Sequence, residues 1–381
     1  MAEKAIHLGG EATADAIVSA VDTMYSEHTF NEKDFVLKHN DAEIAMDSNF
    51  AAQSFWKDVR VRFFRKKSAV LGLILVVFIV LLAAFGPGMN EYTYSGQELS
   101  QKNFAPRVQV LENFGIFNGD EKMSTTTGSK TVNAYVEKGK EDVYYWFGSD
   151  TYGRDIWTRT WEGARVSLII AVAAAIIDMV IGMSYGLISG YFGGKVDMVM
   201  MRIVDIIYSL PDMLMVVLLS VVLREIINVD AFPALQKIGT NMISMFIVFA
   251  LLYWTGMARM VRGQILTVKQ NEYILAARVS GAKDSRIIRR HILPNIVSVI
   301  IIAAALQIPS AIFTESFLSF IGLGVQAPMP SLGSLANEAR AGITQYPYKL
   351  LFPAGMICLI TLAFNLLGDG LRDAFDPKLR R

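Results

Sequence analysis

Cysteine is almost absent from these 381 residues: Cys358 stands alone, inside an apolar run. One thiol excludes an internal disulfide and a cysteine-based metal cluster. Histidine is nearly as scarce. His7, His28, His39 and His291 are scattered, with no H-E-x-x-H pair to seat a zinc ion. No G-x-x-x-x-G-K-[ST] phosphate loop occurs, so the chain itself is not expected to hydrolyse ATP. Gly322-Leu-Gly-Val-Gln-Ala327 matches a dinucleotide fingerprint only loosely, and it follows an apolar helix rather than a strand. Serine and aspartate are plentiful, but nothing pairs them with a base. Charge is also thin: 19% of residues are charged and 53% hydrophobic, where a soluble domain carries about 25% charged. Mean hydropathy is +0.37. The net charge of +1 gives no reason to expect nucleic acid. The polar start, Met1-Ala-Glu-Lys-Ala, precedes a first long apolar run near Ser68, too late for a secretory signal. The expectation is a membrane protein without a metal or cofactor of its own.

What is present divides the chain. Residues 1–67 form a polar tail with weak helical periodicity at 11–24, closed by the basic cluster Lys57, Arg60, Arg62, Arg65, Lys66 and Lys67. Residues 68–88 read as a first span, apolar over 68–85 and stopped by Gly86-Pro87-Gly88; about 20 apolar residues cross a bilayer as a helix. Residues 89–164 are polar, rich in Gly, Thr, Asn and Tyr, with short strands expected at 130–136 and 143–147. The core, 165–368, holds apolar runs at 165–190, 198–223, 242–260, 295–321 and 350–368, interrupted by a basic loop at 261–294. Residues 369–381 are a polar tail. The fold expected is all-α and integral to the membrane, with six transmembrane helices and a small extracellular insertion between the first two. Six spans put both termini on one side. The basic residues fall on that side too: the cluster before Ser68, Lys195 with Arg202, the run from Arg259 and Arg262 to Arg289 and Arg290, and Arg372 to Arg381. Positive residues mark the cytoplasmic face, so both termini are expected there, in a multi-pass plasma-membrane protein.

The loop at 261–294 is too polar to sit in a bilayer. Residues 272–290 read as a helix, a break at Gly281 and a second helix, with Glu272, Tyr273, Ala276, Ala277, Arg278, Gly281, Ala282, Lys283, Asp284 and Arg286 as the candidate docking residues. Tyr273, Ala276, Ala277 and Ser280 are expected on one face, where small side chains admit a partner closely. Gly281 permits the turn, and Pro294 suits a helix start. On residue chemistry alone, the loop is either a docking surface or a solvated basic stretch that sets topology. Gly182, Gly186 and Gly190 repeat at intervals of four, as in small-residue faces of packed membrane helices; they pack within the subunit or against a second one. Asp178, Asp205 and Glu315 lie in apolar runs, where charge is costly. Either they line a water-filled translocation path or they accept hydrogen bonds from neighbouring helices. Asp205 and Asp212 flank Pro211, which with Pro309 is expected to kink its helix.

Several of these stretches resemble one family. Ala276-Ala277, Gly281 and Leu293-Pro294 match the "EAA" signature of permease subunits of ATP-driven (ABC-type) importers, although Leu275 stands for the family's glutamate and His291 for its isoleucine. Phe147-Gly-Ser-Asp-Thr-Tyr-Gly-Arg-Asp155 resembles the "GTDxxGRD" segment of the family's peptide and nickel importers. Gly190-Tyr-Phe-Gly-Gly-Lys-Val-Asp197 and Glu315-Ser-Phe-Leu-Ser-Phe-Ile-Gly-Leu-Gly324 also fit the family, and Gly368-Asp-Gly-Leu-Arg-Asp-Ala-Phe-Asp-Pro377 is similar to the C-type subunits of oligopeptide and dipeptide permeases. The resemblance covers about 50–90 and 147–381; residues 1–50 and 90–146 look like additions. It implies the type I importer permease fold, with the loop as the coupling helix. It implies as partners a second homologous permease, two ATP-binding subunits that carry the ATP and Mg, an extracellular solute-binding protein, membrane lipid and a peptide substrate. Nickel, glutathione or another small solute would use nearly the same permease. An ion-coupled secondary transporter built on Asp178 and Glu315 is the rival class, and a membrane-embedded hydrolase a more distant one.

Overall fold

The computed structural model describes residues 55–125, 128–227, 239–325 and 327–375. The periodicity expected at 11–24 and the end of the C-terminal tail lie outside them.

Helix α1 (Phe55–Arg65) leads into α2 (Lys67–Phe85), which is apolar all round and buries only Ala69, Gly72, Ile79 and Ala83. Leu71, Ile74, Val77 and Phe78 stay exposed, as expected where lipid is the solvent. The buried stripe meets the last helix: a side chain at Gly72 would run into the Leu367 backbone at 2.7 Å. In the polar segment that follows, β1 (Asp120–Thr125) and β2 (Gly128–Asn133) form an antiparallel hairpin, register Asp120↔Asn133 to Thr125↔Gly128. The strand expected at 130–136 stops at Asn133, because that side chain accepts from the Tyr135 and Val136 amides and starts the short helix α3 (Ala134–Glu137). No strand forms at 143–147; there Tyr145 joins Phe104 and Tyr135 in a small buried aromatic core and stacks on Tyr92.

Helix α4 (Ile156–Phe192) has 37 residues, about 55 Å at 1.5 Å per residue, well beyond the roughly 30 Å of a bilayer core. It begins at Ile156, whereas the hydropathy pattern places the span at 165. Asp155 caps it, accepting from the Thr158 amide at 2.8 Å, and the Trp157 indole donates to the Gly86 carbonyl at 3.0 Å. Thr158, Arg159 and Thr160 hide the helix start from a hydropathy window, yet all three are buried.

The expected third span is two helices, α5 (Gly194–Tyr208) and α6 (Asp212–Ile226), bent by 85°. Pro211 cannot donate the bond that would continue α5, so the kink is a break. The fourth is α7 (Thr240–Leu252) and α8 (Trp254–Val268), joined at Tyr253. Then come α9 (Glu272–Val279), α10 (Asp284–Ile287), a π turn (Ile288–Ile292), α11 (Leu293–Phe320), α12 (Leu332–Arg340) and α13 (Tyr348–Phe375). Helix α11 runs through Pro309 without ending. Among the described residues, five helical stretches are long and apolar enough to cross a membrane, or six with the bent pair as one.

The main core joins Ile170, Ala171 and Ala174 of α4 to Met245 and Phe249 of α7, Ala311 and Ile312 of α11, and Ile360 of α13. The glycine stripe lies within the subunit. A Cβ at Gly182 would meet Met257 Cβ at 2.6 Å and the Trp254 carbonyl at 2.7 Å, one at Gly186 the Ala258 carbonyl, and one at Gly190 Ile265 Cβ at 3.0 Å. Backbone-to-backbone contact of α4 with α8 needs glycine at all three.

Glu121 gives the insertion a pH dependence. Its Oε1 is buried without a hydrogen-bond partner among the described residues, and burial pushes the carboxyl up to about 7, against the opposing pull of Lys349. The folded chain therefore holds this proton where the unfolded chain has lost it, and stability falls as pH rises from about 4.5 to about 7. Glu121→Gln is expected to match the wild type in thermal unfolding below that window and exceed it above; equal midpoints on both sides would refute the assignment.

Candidate functional site: the basic loop and the membrane cleft

The loop after α8 is anchored from beneath. Ile274 of α9, Ile287 of α10 and Ile292 of the π turn are fully buried against Val261 and Ile265 of α8, Ile296 and Ile300 of α11, and Tyr191 of α4. Tyr191 Oη donates to Asp284 Oδ1 at 2.5 Å, and Lys269 Nζ donates to the Tyr191 carbonyl. One turn away, Arg262 grips Asp197 through Nε at 2.6 Å and Nη2 at 2.5 Å, and Ser189 Oγ donates to the same carboxylate. The loop is thus tied to α4, α8 and α11, and α8 in turn to α5.

Its other side is open. Glu272, Tyr273, Ala276, Arg278, Lys283, Asp284 and Arg286 are exposed, and Gly281 makes the turn at φ +77°. Ala277 and Ala282 turn inward, half-buried on the isoleucine cluster. Ala276 and Ala277 therefore do not share the open face, because successive helical residues are about 100° apart. Leu275 and Val279 take that place, and Val279 is 89% exposed. The pattern contained the signal: with Ile274 as the inward residue, apolar Leu275 and Val279 fall on the far side. Between the two short helices lies an open hollow lined by Ser280, Gly281, Arg286, Arg290 and His291.

The three intramembrane carboxylates are dispersed. Glu315 is fully buried in α11 and accepts from Ser167 Oγ at 2.7 Å, Ser319 Oγ at 2.8 Å and Ser316 Oγ at 3.3 Å; it ties α4 to α11. Asp205 pairs with Arg259 at 2.7 Å on an exposed edge. Asp178 is buried in α4 and accepts from Gln307 Nε2 at 3.0 Å. None of the three lines the nearby open cleft of about 570 Å³, whose polar wall is Asp212, Tyr253, Gln307, Ser310, Thr314, Thr361 and Asn365. Sequence reasoning singled out Asp212 beside Pro211 but missed the uncharged residues of this wall, because single hydroxyls and amides barely change a hydropathy window.

At the opposite end, the segment before α4 is a clasp. Asp150 accepts from the amides of Tyr152 and Arg154 and from both guanidinium groups of Arg154 and Arg159. Glu338 of α12 accepts from Arg154 at 2.7 Å and from Arg159 at 2.8 and 3.0 Å. Among the described residues there is no group of histidine, cysteine and carboxylates able to hold a metal ion.

An apolar helical bundle with a polar cleft in its side and an anchored basic hairpin at one end has the layout of a multi-pass membrane permease subunit. Residues 182–381 match the family described as binding-protein-dependent transport system inner membrane component, and residues 54–106 match the N-terminal TM domain of oligopeptide transport permease C. Oligopeptide transport system permease protein OppC of Bacillus subtilis is 42% identical over 328 residues, 86% of this chain and 91% of that protein. Dipeptide transport system permease protein DppC of the same organism is 38% identical, covering 91% and 93%, and OppC of Haemophilus influenzae is 36% identical, covering 94% and 100%. The chain belongs to the permease components of binding-protein-dependent transport systems, in the OppC/DppC-like branch.

Proposed function

We propose that this chain is one permease subunit of an ATP-driven importer that brings peptides into the cytoplasm. A second, homologous permease completes the pore, two ATP-binding subunits dock on the basic loop, and an extracellular solute-binding protein delivers the peptide. Both termini and the loop face the cytoplasm. The observation that carries the reading is the two-sided loop: exposed Leu275, Ala276 and Val279 over a buried Ile274 and Ile287 anchor. A partner that grips the outer face and moves would carry α8 and α11 with it, because packed side chains transmit displacement rather than absorb it. Alternate tilts of those helices would open the cleft first to one side of the membrane, then to the other. The hydrolysis belongs to the partners.

The test is affinity purification of the tagged chain in mild detergent, with mass spectrometry of what accompanies it. A second permease and ATP-binding subunits are expected. A chain that purifies alone, and transports in liposomes without ATP, would sink the proposal in favour of an ion-coupled transporter.

A further inference from the structure

We propose that the cleft beside the start of α6 is a peptide-backbone site, in which Gln307, Ser310 and Asn365 bond main-chain groups and Asp212 pairs with the peptide's α-ammonium. The proposal rests on the peptide-import reading and adds to it the chemistry that would hold the substrate in passage.

The wall is assembled from four elements: Asp212 at the first turn of α6, Tyr253 at the α7–α8 joint, Gln307 and Ser310 on α11, and Asn365 on α13. Polar groups within membrane helices are costly unless they pair or face water, and these converge on one cleft. One corner is internally committed. The Thr314 hydroxyl donates to the Ser310 carbonyl at 3.0 Å, so the 2.7 Å contact between Tyr253 and Thr314 uses the tyrosine proton. Two other groups are not committed: the Ser310 hydroxyl and the Asn365 amide engage no partner among the described residues.

Gln307 is held in one orientation. Asp178, buried behind it, takes Nε2, which leaves Oε1 to accept from a ligand. Asp178 is thus a positioning residue rather than part of the lining. An acceptor at Gln307, an amide at Asn365 and a hydroxyl at Ser310 match the N–H and C=O groups that every peptide carries. Such a set is indifferent to side chains, and the remaining wall, Met213, Leu306 and Phe313, adds apolar surface without charge.

Asp212 breaks the neutrality. Asp197 and Asp205 of the preceding helix each hold an arginine. Asp212 is exposed and has no ion pair among the described residues. The Pro211 break places this carboxylate at the cleft. The group on a peptide that complements a single negative charge, whatever its sequence, is the amino-terminal ammonium.

The experiment uses the whole transporter, this chain with its partner permease, ATP-binding subunits and solute-binding protein, in proteoliposomes. The probe is one short peptide in free-amine and N-acetylated forms, chosen so that the isolated binding protein holds both and supplied at saturation. Wild type is expected to import the free amine about tenfold faster, the scale of one charge-assisted contact. Asp212→Asn should bring that ratio to about one, Asp212→Glu should retain it, and Gln307→Leu should slow both forms alike. A wild type that imports both forms equally, or an Asp212→Asn transporter that keeps the preference, overturns the site and leaves peptide import standing. A complex whose ATPase responds to the binding protein yet imports neither form overturns the peptide reading itself.

Discussion

Leu275→Asp combined with Val279→Asp is expected to strip the ATP-binding subunits from the purified complex and abolish import, while the chain still inserts and keeps its permease partner. Both side chains are exposed, Leu275 at 51% and Val279 at 89%, so the fold loses nothing by the change. An interface anchor truncated at its centre costs about 2 kcal/mol or more, and every 1.4 kcal/mol is tenfold in affinity. Two such anchors replaced by charge predict at least a hundredfold weaker docking, by the same arithmetic. Ala277→Asp should behave differently. It would place a charge against the buried cluster of Ile274 and Ile287, so it should lower thermal stability as well as docking. The comparison separates a partner surface from a structural one. If ATP-binding subunits co-purify undiminished with the Leu275→Asp, Val279→Asp chain, the coupling surface lies elsewhere.

Arg159→Met should be the most destabilising single change at the other end of the molecule. The guanidinium is buried between Asp150 and Glu338. Arg154 and Arg159 face Asp150 and Glu338 as two cations against two anions. Removing one partner of a buried ion pair leaves an uncompensated charge and costs about 3–5 kcal/mol. The loss should appear as a lower unfolding midpoint in detergent and as release of α12, which the cluster fastens to α4. Arg159→Met with Asp150→Asn removes charge of both signs and should recover part of the stability. A shift below about 1 kcal/mol in the single variant, the usual scale of a surface pair, would show that the cluster is solvated in the membrane-bound protein.

This cluster also shows what the run Phe147 to Asp155 does. On sequence it stood out only as a resemblance. In the fold, Asp150 and Arg154 are the clasp, and Asp155 caps α4. The glycine stripe is a similar case. Intervals of four put Gly182, Gly186 and Gly190 on one face, but only the packed structure distinguishes α8 from another subunit as the surface they meet.

The sequence by itself determined the membrane class, the number and order of the apolar segments, the polar insertion and the basic helix–turn–helix with Gly281 at its bend. These follow from local composition and from periodicity along one helix, which residues carry without reference to distant neighbours. The start of α4 escaped it, since Thr158, Arg159 and Thr160 are polar yet buried by contacts with distant segments. It also could not tell that Pro211 breaks its span while Pro309 sits inside a continuous helix. The tertiary structure alone decided which side of α9 is free, which carboxylates are consumed by serines and arginines, and which uncharged residues meet at the cleft. The reason is physical. Whether a polar side chain in a bilayer is a strut or a contact for something passing depends on who its neighbours are, and those neighbours come from other helices, 54 residues away for Asp205 and Arg259 and 129 for Asp178 and Gln307.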